Sequence, residues 1–425
     1  MNVVIQNSIP VVMLKSVAHG GLGAVRSFGR LGVPVYTVEA EHGTPAFFSR
    51  YSMGELRLDV ETAPTQEALS ALIALASRIG ARSVLIPSTD YAAIFIAENA
   101  SELRESFLFP QQSPELIRAL YSKKQMYMLA RQFEVPTPAT NFPTSRAEVA
   151  EFADGARFPV MLKGIDGTRL CARTGRKMVV ANSPSELLRS FDELDDPEQP
   201  NLMLQEFVPY TEGSRWMFDG YFNQYSECVA GFTGQKLRQC PVDTGYTTLG
   251  MCRTNPTIDD IARRWMKELG YRGLLDIDFL YDHRDGQYKV VDVNPRLGAS
   301  FRLFVSENEL DLARVLYLDL TGQQCCRVSM KHGRRWLVGD LDLLSAVRCY
   351  RARTLSLRSY FHSLSGIQET GYFAIDDPLP LLARLASDSK EFSRKIVQKL
   401  TSPLPRTTSP TAIPASLSSG RKQAA

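Results

Sequence analysis

Asp278, Asp292, Asn294 and Arg296 have the side-chain types and the spacing to hold a divalent cation together with phosphate. They lie in residues 273–302, GLLDIDFLYDHRDGQYKVVDVNPRLGASFR. Leu275, Ile277 and Phe279 alternate with Asp276 and Asp278, a second strand-like run covers 288–293, and Asp285-Gly286 between them is a favoured hairpin turn. Side chains repeat with period two on a strand, so Asp292 and Asn294 share one face. Pairing about a turn at 284–286 sets Asp278 opposite Asp292. Neighbouring strands lie only about 4.8 Å apart. Two carboxylates that close force one to take up a proton unless a cation intervenes. Two carboxylates and an amide oxygen suit magnesium that also carries phosphate. Arg296 adds a permanent cation whose fork fits phosphate or carboxylate. The plainer alternative is a polar-faced hairpin with solvated acids.

Basic residues elsewhere could meet the same anion. Residues 157–164, RFPVMLKG, read as a buried strand ending in Lys163, and a lysine among apolar neighbours calls for an anionic partner. Lys236 and Arg238 share a strand face by period two and would line a site for phosphate or an anionic substrate; a solvated face is the alternative. Ser88 and Asp90 follow a strand over 83–86, at the carboxyl end where parallel sheets bind ligands, although capping the next helix explains them equally well. His19-Gly20-Gly21-Leu22-Gly23 is a partial dinucleotide fingerprint with Arg26 where Gly or Ala is wanted, so a plain tight turn is the stronger reading.

Taken with these residues, Val-Asp-Val-Asn-Pro-Arg resembles the metal hairpin of the ATP-grasp superfamily, with Asp292 where that family usually has Glu. Further segments extend the likeness. Lys123, at the start of a helix that ends before Val135-Pro136-Thr137-Pro138, matches a lysine that contacts nucleotide phosphate. Lys163 matches the lysine on the α- and β-phosphates. Glu206-Phe207-Val208 resembles the segment whose backbone binds adenine, through the Glu206 carbonyl and the Val208 amide, and Glu212 stands where the ribose-binding acid belongs. Asp166-Gly167-Thr168 and Thr174-Gly175-Arg176 bracket the loop expected to cover the γ-phosphate. Residues 45–51 and the Asp-Asp-Pro-x-Pro run at 376–380 look most like carboxylate–amine ligases of the D-aspartate ligase type.

The elements that must position these residues divide into blocks. Strand, glycine turn, helix, strand patterns over 1–118 predict a Rossmann-like domain. The resemblance implies a two-part ATP-grasp domain with antiparallel sheets over 119–325: 119–208 contains the small nucleotide-covering subdomain, and 209–325 the metal-binding one. The fold class is thus α/β and α+β, with a C-terminal appendage over 326–400 and a disordered tail over 401–425, where Ser, Thr, Pro and Ala dominate. Residues 331–425 hold 15 basic and 7 acidic side chains, Arg348, Arg351, Arg353 and Arg358 among them; a solvated face is the simplest reading of that excess, and attraction to an acidic partner or membrane surface the other.

The chain has 425 residues, 44% hydrophobic and 22% charged, with a net charge of +3, which does not call for nucleic acid. Seven cysteines without a CxxC pair point to reduced thiols, a cytoplasmic protein and no zinc site. No run is long and apolar enough to span a membrane. The resemblance implies an ATP- and Mg2+-dependent ligase, with Mn2+ as a substitute metal. It would activate a small-molecule carboxylate as an acyl phosphate and join it to an amine, with Arg296 and Arg238 stabilising the transferring phosphoryl group. The family commonly forms homodimers. The alternatives are activation of bicarbonate or another carboxylate, nucleotide binding without turnover, and a dinucleotide oxidoreductase.

Overall fold

Val11–Leu14, four consecutive apolar residues with no exposed surface, form the central strand (β1) of a parallel sheet. Continuous apolar runs are what a strand covered on both faces requires. Beside it lie β2 (Val35–Val38), β3 (Ser52–Leu56), β4 (Ser83–Pro87) and β5 (Phe107–Leu108), in the order β3-β2-β1-β4-β5. This is the Rossmann-like unit. The computed structural model describes residues 5–16, 18–242, 245–326 and 328–387; the tail expected over 401–425 lies outside them. The chain divides into two compact units, Met1–Arg384 and Leu385–Ala425.

The glycine run after β1 is not a tight turn. His19 to Gly23 already belong to helix α1 (His19–Gly29), and its glycines serve close packing. A Cβ on Gly20 would fall 2.9 Å from the Ala299 backbone, and one on Gly23 would fall 2.8 Å from the Arg302 side chain. Only hydrogen fits at those positions.

Two antiparallel sheets follow. The smaller runs β6-β9-β7-β8, from β6 (Thr140–Asn141), β7 (Val160–Gly164), β8 (Met178–Ala181) and β9 (Leu202–Glu206). The larger comprises β10 (Arg215–Phe222), β11 (Cys228–Cys240), β12 (Tyr246–Cys252), β13 (Gly273–Asp282), β14 (Gln287–Asn294), β15 (Arg335–Leu337) and β16 (Ile367–Thr370), in the order β14-β13-β10-β11-β12-β15-β16. Two strands from the segment read as an appendage therefore extend the sheet that carries the hairpin.

Helix α2 (Lys123–Gln132) starts where Ser122 accepts from the Gln125 N–H. The segment expected as a phosphate-covering loop is a helix instead, α3 (Gly167–Thr174). Asp166 caps it by accepting from Thr168 and Arg169, and Gly175 ends it in the left-handed region at φ +72°. Local capping chemistry outweighed the glycine content there. Helix α4 (Leu312–Leu320) packs on α1, with Phe28 and Tyr317 ring centroids 5.6 Å apart.

The Asp-Asp-Pro run docks on the Rossmann-like unit. Buried Asp377 accepts from Arg26 Nε at 2.9 Å, Ser49 Oγ at 2.7 Å and the Arg50 amide at 2.9 Å. Asp376 receives both Arg30 and the Tyr51 hydroxyl. The two segments that set the subgroup resemblance thus bind one another. No described helix is long and apolar enough to cross a membrane.

Candidate active site

The β13–β14 hairpin pairs as its sequence predicts, with Asp278 opposite Asp292 and Asp276 opposite Asn294. A bulge follows directly: Phe279 pairs with Val290, leaving Val291 extra. Helix α2 lies against it through the Tyr127 hydroxyl, which donates to the Val291 carbonyl at 3.1 Å. Lys123, one turn before Tyr127, shares its helix face and ion-pairs with Asp292.

Each acid of the hairpin face meets its own cation. Asp292 has Lys123, Asp278 has Lys236 Nζ at 2.5 Å, and Asp276 has Arg296 Nη1 at 3.1 Å. Arg296 Nε also lies 3.6 Å from Asp90, at the carboxyl end of β4. Burial pushes the Asp278 carboxyl up to about 6 despite Lys236, with Asp276 and Asp292 adding repulsion. For Asp292 burial acts in the same direction, but the charge and hydrogen bond of Lys123 outweigh it and hold the pKa below the usual carboxylate range.

These groups line two neighbouring cavities. The first, about 270 Å³, lies between the two antiparallel sheets and is walled by Lys123, Lys163, Glu206, Phe207, Val208, Asp278 and Asp292. Met161, Met178 and Phe279 give it apolar walls suited to a flat ring. Lys163 donates to Gln205 Oε1 at 2.9 Å. Burial and then the nearby Lys123 charge bring its pKa down to about 8. The Glu206 carboxylate is held by Arg284 at 2.9 Å and Lys289 at 3.4 Å, and the Phe207 amide donates to the Pro159 carbonyl. The second cavity, about 560 Å³, is lined by Asp278, Asp292, Asn294 and Arg296 of the hairpin segment together with His19, Asp90 and Ser300. His19 sits against Trp336 at a centroid distance of 5.1 Å, and burial lowers its pKa to about 4, which leaves a neutral imidazole at neutral pH.

The donor set fits magnesium. Among the described residues no three His, Cys, Asp or Glu side chains converge into a self-sufficient metal cage. Two facing carboxylates with an amide suit a hard cation that takes its remaining ligands from water and phosphate. Lys123 and Lys236 already balance the same two acids.

Two expected site residues stand elsewhere. Arg238 was placed beside Lys236 by period two, but β11 bulges between them: Lys236 pairs with Gly250 and Arg238 with the adjacent Leu249. The extra residue turns Arg238 to the opposite face. There it forms a bidentate pair with buried Asp342, at 2.9 and 2.8 Å, under the Tyr360 ring. It touches neither cavity. Glu212 is exposed in the turn before β10 and lines neither cavity.

Two acids that spacing does not single out, Asp219 and Asp276, lie beside the hairpin face, and Asp276 also lines the second cavity. Asp219 pairs with Asp276 in the sheet, is fully buried, and neither of its carboxylate oxygens has a hydrogen-bond partner among the described residues. Burial first, then the Asp276 charge, raises its pKa well above the usual carboxylate range. A Cβ on Gly298 would lie 2.5 Å from Asp219 Oδ2, so that glycine lets the loop after Arg296 close over the acid. The signal was present: a single acid inside WMFDGYF, an otherwise apolar strand.

No family model matches the chain. Among curated relatives, D-aspartate ligase of Enterococcus faecium (strain Aus0004) is 25% identical over 248 residues, covering 56% of this chain and 58% of that protein. The match therefore spans less than two thirds of the relative's length. Among solved structures, N5-carboxyaminoimidazole synthetase from Staphylococcus aureus, complexed with ADP, aligns with a TM-score of 0.59 at 10% identity, over 79% of this chain and 82% of that one. The biotin carboxylase domain of the Hydrogenobacter thermophilus 2-oxoglutarate carboxylase, in complex with MgADP, ADP and bicarbonate, aligns with a TM-score of 0.57 at 15% identity, over 78% and 74%. Both neighbours are ATP-grasp enzymes, and with this sheet order and hairpin the chain has the ATP-grasp fold.

Proposed function

We propose that the protein is an ATP-dependent carboxylate–amine ligase. The observation that carries this is the convergence of Lys123, Lys163, Asp278 and Asp292 on one cavity, with Asp278, Asp292, Asn294 and Arg296 lining the next. Nucleotide would lie in the first cavity, its base between the Met161 and Phe279 sides and its phosphates toward Lys163 and Lys123. Asp278, Asp292 and Asn294 would hold magnesium, which would supply charge neutralisation for the phosphates. Arg296 reaches the second cavity and would orient a carboxylate there for attack on the γ-phosphorus, giving ADP and an acyl phosphate. An amine then displaces phosphate. Catalysis on this account is positioning and electrostatics, with no covalent enzyme intermediate. Arg238 has no part in it, because it is engaged by Asp342.

The likeness to D-aspartate ligase supports an amino acid as the carboxylate, aspartate first. The test is ADP and phosphate release with Mg-ATP over a panel of carboxylates and amines, including D- and L-aspartate and bicarbonate. Release that requires both a carboxylate and an amine supports the ligase and names its substrates. Nucleotide bound tightly without release under any pairing overturns it in favour of a binding protein.

A further inference from the structure

We infer that the outward face of the two C-terminal helices is a docking surface for an anionic membrane. Helix α5 (Gly339–Arg351) buries Asp342, Ser345 and Ala346 against the large sheet. Its other side exposes Leu343, Leu344 at 57%, Val347 and Tyr350 at 53%. Leu343, Val347 and Tyr350 fall at spacings i, i+4 and i+7 and make one stripe, with Leu344 and Arg351 alongside and Arg348 beyond them. Helix α6 (Leu357–Ser363) adds Leu357 and Phe361, four residues apart, with Phe361 exposed at 68%. Its inner residues Tyr360 and Ser363 meet Arg238, as does Asp342 of α5, so both helices turn their inner sides to the same point.

Charge selects the occupant. From Leu343 to Gly366 the sequence has four arginines, Arg348, Arg351, Arg353 and Arg358, all exposed, and no acid. Large apolar side chains interleaved with arginine are the pattern of a helix lying at a lipid interface, where the apolar stripe enters the acyl boundary and the cations meet headgroup phosphates. A second copy fits poorly, because a two-fold contact would set the same four cations against themselves. The sequence after the described residues is also basic, with Lys390, Arg394, Lys395 and Lys399 against Asp388 and Glu391, so it does not complement the face. A nucleic-acid backbone would satisfy the arginines but offers nothing to the leucines.

The experiment is flotation of the full chain with phosphatidylcholine vesicles and with mixed phosphatidylcholine–phosphatidylglycerol vesicles. Expected is at least about tenfold stronger partition onto the anionic vesicles, weakened by salt. A Leu344→Asp/Val347→Asp variant and an Arg348→Glu/Arg351→Glu variant should each abolish it, with circular dichroism and ADP release unchanged. Equal partition onto both vesicle types, no partition onto either, or undiminished binding by both variants overturns the inference. So does a dimer that Leu344→Asp dissociates in sedimentation while vesicle binding is absent.

Discussion

Asp278 and Asp292 face each other across the β13–β14 hairpin, and each is ion-paired to a lysine from a different part of the chain, Lys236 on β11 and Lys123 on α2. The pair is a charge-balanced face in which a divalent cation would compete with two ammonium groups. Asp292→Ala or Asn294→Ala should lower turnover by about 10²–10³-fold, roughly 3–4 kcal/mol of transition-state stabilisation. The fold should persist. Magnesium-dependent elevation of the melting temperature by ADP should vanish in both variants, read by calorimetry. Full activity in both would remove the metal assignment.

Lys163 titrates near pH 8 in the ligand-free protein because burial and the Lys123 charge disfavour its ammonium form. Bound phosphates would restore that form. Nucleotide binding should therefore take up a proton above pH 8, and uptake should fade toward about pH 6, where the lysine is already charged. Calorimetry in buffers of differing ionisation enthalpy reads the uptake directly. Lys163→Met should abolish it and weaken binding.

Arg238 should prove structural. Its removal leaves Asp342, with no exposed surface, holding only the Thr248 hydroxyl at 2.9 Å as a further side-chain partner among the described residues. Arg238→Ala should cost about 3–5 kcal/mol of stability, the usual penalty for stripping one member from a buried pair. At temperatures where the variant stays folded, KM for ATP should be unchanged, which steady-state kinetics checks. A selective loss of turnover without loss of stability would return Arg238 to the catalytic set.

Gly298 tests the loop over Asp219. An added methyl would lie 2.5 Å from Asp219 Oδ2 and 3.2 Å from Asp276 Oδ2, so Gly298→Ala must shift the loop that carries Ala299 and Ser300. The second cavity changes shape while the first does not. Expected is a rise in KM for carboxylate or amine with ATP affinity kept within about twofold. Relaxation of the strain by Asp219→Ala in the same chain should restore part of the loss.

What the sequence determined by itself was local. Alternation over 275–279 and the Asp285-Gly286 turn set the hairpin and its register, because period two and turn geometry act between near neighbours. The apolar run ending in Lys163 announced a half-buried cation for the same reason. The tertiary structure decided which charges meet. A bulge in β11, invisible to a period-two count, turned Arg238 away from Lys236 and toward Asp342. Asp219 and Asp276 acquired their meaning only when β10 and β13 paired and Gly298 closed over them. His19 reached the second cavity because α1, with glycine at its tight contacts, could approach the loop after Arg296. Long-range pairing and close packing are properties of the folded chain, and neither is written in the spacing of residues along it.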